Sequence, residues 1–227
     1  TRSEAVTGVQ TCALPISQST SVSDLGVIVD SRLSFNQHIS NILTKLASHR
    51  TGAFFRGFAS RHLALTKQVF VSYIRPLLEF NSNIWNPTKN YLIDKLENVQ
   101  RRFTKRIPSI SHLPYKDRLL ALALEPLELR RLHSDIIQYF KIMNNLTSIQ
   151  PDKFFTLHYP PTSLRNPDPY LIKPSNFSTS LQSSFFYRYL DCWNALPAAV
   201  KQSSSLPIFK RFIKFMDFKL NLNGSAF

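Results

Sequence analysis

The sequence predicts a mainly α protein: a helical bundle with one short N-terminal strand, a Pro-rich linker and a small helical C-terminal piece. Three observations carry this. Apolar residues recur at helical spacing in segment after segment. Only one short β-branched run stands out, at Val27-Ile28-Val29. The punctuation is proline, 14 residues against five glycines, and many of these prolines fall at the ends of the apolar stripes.

Taken in order, Leu25-Gly26-Val27-Ile28-Val29, bounded by Asp24 and Asp30, reads as one buried strand whose pairing partner is expected upstream. Ser34, with Gln37 three residues on, has the capping-box pattern and opens a helix. Phe35, Ile39, Ile42, Leu43 and Leu46 form its apolar face, and it frays near Thr51-Gly52. A second helix starts near Leu65 and turns Val69, Phe70, Tyr73, Ile74 and Leu77 inward; Pro76 should kink or end it. Asn86-Pro87 marks a turn and Asn90 a cap.

The third helix carries Leu92, Leu96, Val99, Phe103 and Ile107 on one face, with Lys95, Arg101, Arg102, Lys105 and Arg106 largely elsewhere, and Pro108 stops it. Pro114 and Pro126 read as first-turn prolines of a short helix, Tyr115 to Leu122, and a long one, Leu127 to about Asn144. Six prolines fall between 151 and 180, among Ser and Asn, so that stretch reads as a linker. Phe185, Phe186, Tyr189, Leu190 and Trp193 then suggest a helix ended by Pro197, and Pro207 starts a last one.

Composition bounds function. The chain of 227 residues is 43% hydrophobic with 18 Phe, which is ample for a core. Its glycines form no phosphate-cradling loop. Two cysteines cannot make a disulfide framework or a four-ligand zinc site, and no metal site is expected. Cys192, beside Trp193, reads as a small buried hydrophobe. The six histidines form no HExxH pair, and no hydrolase elbow is present. The nine aspartates include no Asp-Asp pair of the kind two-metal chemistry needs, so no catalytic residue is assigned and no enzyme is expected in the chain as it stands. No apolar run of roughly 20 residues and no secretory leader occur, so an intracellular location, nuclear or cytoplasmic, is expected.

The charge is the loud signal: 28 Lys and Arg against 14 Asp and Glu, a net +14. That surplus points to a polyanionic partner, nucleic acid before membrane. Arg101, Arg102, Lys105 and Arg106 could form a cationic helix edge tracking phosphates, with Arg130 and Arg131 as further candidates; the alternative for such a charge run is a solvated helix face. Tyr115, Trp85 and Trp193 are aromatic candidates for base stacking, although aromatics so spaced more often fill cores.

Several strings resemble, in order, the region after the palm in non-LTR (LINE-like, jockey-type) retrotransposon reverse transcriptases. They are Leu25-Gly26-Val27-Ile28-Val29-Asp30 through Leu33-Ser34-Phe35 and His38-Ile39, then Ser72-Tyr73-Ile74-Arg75-Pro76-Leu77-Leu78-Glu79-Phe80 and Trp85-Asn86-Pro87. Leu96-Glu97-Asn98-Val99-Gln100-Arg101-Arg102-Phe103-Thr104-Lys105, Leu127-Glu128-Leu129-Arg130-Arg131-Leu132 and Trp193-Asn194-Ala195-Leu196-Pro197 complete the series. The resemblance implies a thumb-like helical region that holds RNA and RNA/DNA hybrid by backbone contacts, beside a palm and fingers not found in this sequence. The parent enzyme would be an RNA-directed DNA polymerase using Mg2+ on palm carboxylates; no cofactor is expected here. A rival reading is a domesticated helical protein-interaction module without nucleic-acid binding.

Val6 to Ile16 resembles, residue for residue, the translation of a common sequencing-library adapter. The expected organisation is therefore a disordered, adapter-derived segment over 1–17, a palm-end strand with the thumb-like domain over 18–150, a linker over 151–180, a helical segment over 181–220 and a tail over 221–227.

Overall fold

A computed structural model describes residues 19–59, 62–159, 170–173, 179–218 and 222, and among these the protein is mainly α-helical with two short antiparallel ladders. The expectation for residues 1–17 concerns positions outside this set.

The strand expected at Leu25–Val29 is a hairpin. Strand β1 (Ser21–Asp24) pairs antiparallel with β2 (Val27–Asp30), and Leu25-Gly26 is the turn between them. Both turn residues have positive φ, 44° and 83°, which suits a two-residue hairpin because its twist matches that of the strands. Glycine meets that requirement freely, whereas Leu25 meets it with its side chain pointing into solvent, 85% exposed. The strand's partner is thus local, and the upstream sheet expected for it is not required.

Nor does a capping box open the first helix. Helix α1 (Asn36–Asn41) begins after Phe35, which sits in the left-handed region and makes no side-chain cap. Asp30 does the work instead. Its Oδ1 accepts the backbone N–H groups of Arg32 and Ser34 at 3.0 and 3.1 Å, and its Oδ2 accepts that of Phe35 at 2.8 Å. Slight burial pushes the Asp30 carboxyl up, but the hydrogen bonds from Ser34, Phe35 and Arg32 outweigh it and hold the group below the usual carboxylate range.

The helix continues through a wide π-turn at Ile42–Ala47 into α2 (Ser48–Gly57), well past the expected fraying point. The second helix does the same. Helix α3 (Leu63–Val69) passes through a π-turn at Phe70–Ile74 into α4 (Arg75–Glu79). Pro76 therefore neither ends nor replaces the helix. It falls in the first turn after the widened one, where its missing N–H costs least. Thr66, Phe70, Ile74 and Leu78 are buried, and Tyr73, expected inside, is 46% exposed.

A short α5 (Ser82–Trp85) leads to the amphipathic α6 (Asn90–Lys105), whose N-cap position falls on Lys89 rather than Asn90 and carries no side-chain cap. After a 3-10 turn at Pro108–Ile110 come α7 (Tyr115–Leu122) and α8 (Leu127–Met143). Both helices start where expected, directly after Pro114 and Pro126, whose carbonyls accept the N–H groups of Arg118 and Arg130. The stretch expected as a linker contains a 3-10 turn at Pro151–Lys153 and a second ladder, β3 (Thr156–His158) with β4 (Tyr170–Ile172). Its residues 160–169 and 174–178 lie outside the described set. The C-terminal piece comprises α9 (Thr179–Gln182), α10 (Phe185–Arg188), α11 (Leu190–Asn194), α12 (Ala198–Lys201) and α13 (Leu206–Phe215).

Two apolar cores meet at α8. One gathers Val27, Ile39, Phe54, Phe55, Phe70, Ile74, Trp85, Leu96 and Phe103, closed by Leu127. The other packs Leu132, Ile136, Tyr139 and Phe140 of α8 against Phe155, Leu171, Leu190, Trp193, Phe209 and Ile213. The C-terminal piece thus shares its core with the long helix. Cys192 lies in that second core, and burial pushes its thiol up to about 12, so it is a hydrophobe as expected.

Between the cores lies a polar joint. Asp135 of α8 is fully enclosed, with Arg188 Nε 2.7 Å from Oδ2 and Nη2 2.9 Å from Oδ1. Asn83 and Asn86 also donate to Asp135, and Arg188 Nη2 reaches the Asn83 carbonyl at 2.6 Å. Burial pushes the Asp135 carboxyl up, against the pull of Arg188 and the two amides.

Two outcomes follow. Arg188→Met, which strands the Asp135 charge in the interior, lowers stability by about 3–5 kcal/mol in a urea titration. Asp30→Ala costs about 1 kcal/mol by loss of a cap-like carboxylate. Because the folded Asp30 carboxyl is held low, its contribution is present above the unfolded carboxylate pKa and is lost as pH falls through the folded one, so D30A also flattens the acid limb of the stability profile.

Candidate nucleic-acid interface

Helix α6 shows how sequence places the candidate cations. Its buried side includes Leu92, Ile93, Leu96 and Phe103, as the apolar spacing requires, but also Glu97, Gln100 and Thr104. Ile93, Glu97, Gln100 and Thr104 stand at offsets 0, 4, 7 and 11, a polar extension of the apolar stripe. Sequence reasoning missed these residues. The signal was a helical stripe that turns polar partway along.

Glu97 binds in two directions. Its Oε1 accepts the Tyr115 hydroxyl, and its Oε2 accepts the N–H of Leu127 at 2.9 Å, the first residue of α8. A carboxylate at a helix N-terminus meets unsatisfied N–H groups and the positive end of the dipole. Gln100 Nε2 donates to the Tyr115 oxygen at 3.1 Å and to the Glu125 carbonyl at 3.0 Å. Burial pushes the Glu97 carboxyl up, countered by Tyr115 and by Arg131. Burial and the Glu97 charge push the Tyr115 phenol up, so it stays a donor.

With that side fixed inward, Arg102, Lys105 and Arg106 emerge as exposed residues at the C-terminal end of α6. Cations there suit the negative end of the helix dipole. Among the described residues, no ion pair engages any of the three. The Arg106 guanidinium lies 3.9 Å from the centre of the Phe55 ring, which brings the end of α2, with exposed Arg56 and Phe58, beside the end of α6. Arg101 is half-buried: it lies over the Tyr115 ring at 4.8 Å and donates to Asn98 Oδ1 at 3.3 Å.

The two α8 candidates are corrected by the structure. Arg130 is held by Glu79 and Glu125, with Nη2 3.1 Å from Glu79 Oε2 and Nη1 3.2 Å from Glu125 Oε2. Those bonds raise its pKa and commit its fork to the protein. Arg131 is fully enclosed, with Nε donating to Asn86 Oδ1 at 2.9 Å, so no nucleic-acid backbone on the surface reaches it. A charged residue on a sequence helix gives no sign of which face it takes when the neighbouring stripe also contains polar residues. Trp85 and Trp193 are core residues, 1% and 5% exposed, and neither is placed to stack on a base.

A cleft of about 1050 Å³ opens between the loop after β2, the segment Asn81–Lys89 and the C-terminal segment around Phe185. Amides, Arg32, Lys89 and Arg188 line it, and among the described residues no carboxylate does. Among the described residues, no group of three or more His, Cys, Asp or Glu side chains converges on a common point. No helix among them is long and apolar enough to cross a membrane.

Compared with known proteins, the chain is similar to the uncharacterized protein B0403.1 of Caenorhabditis elegans, with 26% identity over 172 residues, covering 74% of this chain and 76% of that protein. No family model and no solved structure matches it.

Glu97→Ala leaves the Tyr115 hydroxyl and the Leu127 N–H without their buried acceptor, at a cost of about 2–3 kcal/mol. Calorimetric unfolding checks this, with Asn98→Ala, on the half-exposed flank of the same helix, expected to cost much less.

Proposed function

We propose that this chain is a sequence-independent nucleic-acid-binding module, the thumb-like region of a non-LTR retrotransposon reverse transcriptase that grips template and primer by their phosphates. The observation that carries the reading is the exposed trio Arg102, Lys105 and Arg106, which no carboxylate among the described residues neutralises, on a chain of net +14. The ordered resemblance strings supply the identity of the ligand: RNA and RNA/DNA hybrid. Such a partner places the working compartment inside the cell.

The chemistry is binding alone. Each cation set against a phosphate releases a condensed counterion, so affinity falls with salt and carries no base information. Arg106, braced on Phe55, loses little freedom on binding, because its guanidinium is already positioned. Arg101 flanks the trio from the α7 side.

The test is a fluorescence titration of the full chain with an RNA/DNA hybrid at several salt concentrations. Three phosphate contacts give a slope of log affinity against log salt of about −3. R102E/K105E/R106E should shift affinity down by roughly tenfold or more and flatten that slope. A salt-independent affinity, or one unchanged by the triple reversal, ends the proposal.

A further inference from the structure

The cleft of about 1050 Å³ between the loop after β2, segment 81–89 and the C-terminal segment around Phe185 takes no part in the cationic end of α6. Its volume is at the upper end of small-ligand sites. Lys89, on its lining, holds the N-cap position of α6, and the exposed trio stands at the other end of that helix. With α6 16 residues long, the two places lie about 24 Å apart along its axis.

Three kinds of group line the cleft. Two of its five side-chain amides, Asn83 and Asn86, are engaged by Asp135. The other three, Asn81, Gln138 and Gln182, make no side-chain hydrogen bond among the described residues, so each keeps its donors and its acceptor. Phe35, Phe185 and Phe186, all half-buried, supply aromatic surface. The last two are held in place, Phe185 by the Tyr139 ring at 5.2 Å and Phe186 by stacking on Phe154 at 4.4 Å. Arg188 is engaged by Asp135, but Arg32 and Lys89 are exposed and have no ion pair among the described residues. The backbone is shaped for the cleft as well. Six non-glycine residues of the described set have positive φ, and three of them line it: Leu33, Phe35 and Asn81, at 53°, 54° and 51°. Such conformations are costly for residues with a Cβ and gather where a local shape is needed.

We infer that this cleft binds unpaired nucleotides of a single nucleic-acid strand, with bases against the phenylalanines, base edges on the three free amides, and phosphates on Arg32 and Lys89. A nucleotide offers flat apolar faces, an edge of donors and acceptors, and a negative charge, and the lining holds a counterpart for each. In a duplex the faces are stacked and the pairing edges occupied, so only an unpaired base offers both. The α6 edge meets phosphates and carries no base information; the cleft adds contact with the bases themselves and stands without that edge.

The experiment follows the anisotropy of short labelled single strands of RNA and of DNA titrated with the full chain, as the parent and as R102E/K105E/R106E. Saturable binding of either strand is expected in both chains. R32E/K89E should weaken it by roughly tenfold or more, and Q138A/Q182A by several-fold, each with an unchanged melting temperature because the four side chains are exposed or half-buried and engage no partner. In the α6-reversed chain a blunt duplex of the same sequence should bind much more weakly than the strand. Loss of strand binding in R102E/K105E/R106E with retention in R32E/K89E would place it on the α6 edge, which overturns the cleft and leaves the reading of that edge standing. No saturable binding, equal affinity for the duplex in the α6-reversed chain, undiminished affinity in R32E/K89E, or ready displacement of the strand by an oligoglutamate peptide also overturns it.

Discussion

The enclosed pair Asp135–Arg188 is the constraint around which the molecule is arranged. Two charges taken from water repay their desolvation only when geometry and remaining hydrogen bonds are complete. Here a bidentate contact, two asparagine amides and a backbone carbonyl meet the polar atoms of the pair except Arg188 Nη1, which has no partner among the described residues. The pair joins three parts of the chain: the Asn83–Asn86 segment, α8 and α10. Apolar surfaces slide past one another at little cost, whereas this joint allows one seating. It fixes how the C-terminal piece sits on α8.

A second carboxylate performs the same service at the other end of α8. Glu97 ties the start of that helix to α6 and, through Tyr115, to α7. With α6 rolled so that Glu97 and Gln100 face inward, its remaining cations have nowhere to go but outward. The surface charge of this protein is in that sense a by-product of where its buried carboxylates are needed.

Much of this was legible in the sequence, and the limits have physical causes. The apolar face of α6 followed from spacing, because a helix must bury one side. Prolines marked element ends to within a residue or two. The hairpin was hidden because Leu25, an apolar residue, occupies a turn position that usually announces itself with Asn or Asp. The cap at Asp30 was hidden because its carboxylate acts from four and five residues away on Ser34 and Phe35 rather than from the cap position. Among the candidate site residues, Arg102, Lys105 and Arg106 are exposed at the end of α6. Arg130 and Arg131, adjacent in sequence and alike in chemistry, have different fates, set by Glu79 and Asn86, residues some fifty positions away that no local pattern connects to them.

The widened turns have an arithmetic of their own. In an α-helix each residue advances about 100°, so every fourth residue overshoots a full circle by about 40°. Thr66, Phe70, Ile74 and Leu78 stand four apart three times over, and in an unbroken α-helix the last would face about 120° away from the first. The π-turn at Phe70–Ile74 takes up that overshoot by spending an extra residue on one circuit, which keeps all four in the interior. A strict period of four is thus a written instruction for a helix that must lose phase partway. The same spacing rotates Tyr73 to the outside, where a reader counting in steps of 3.6 would not look for it.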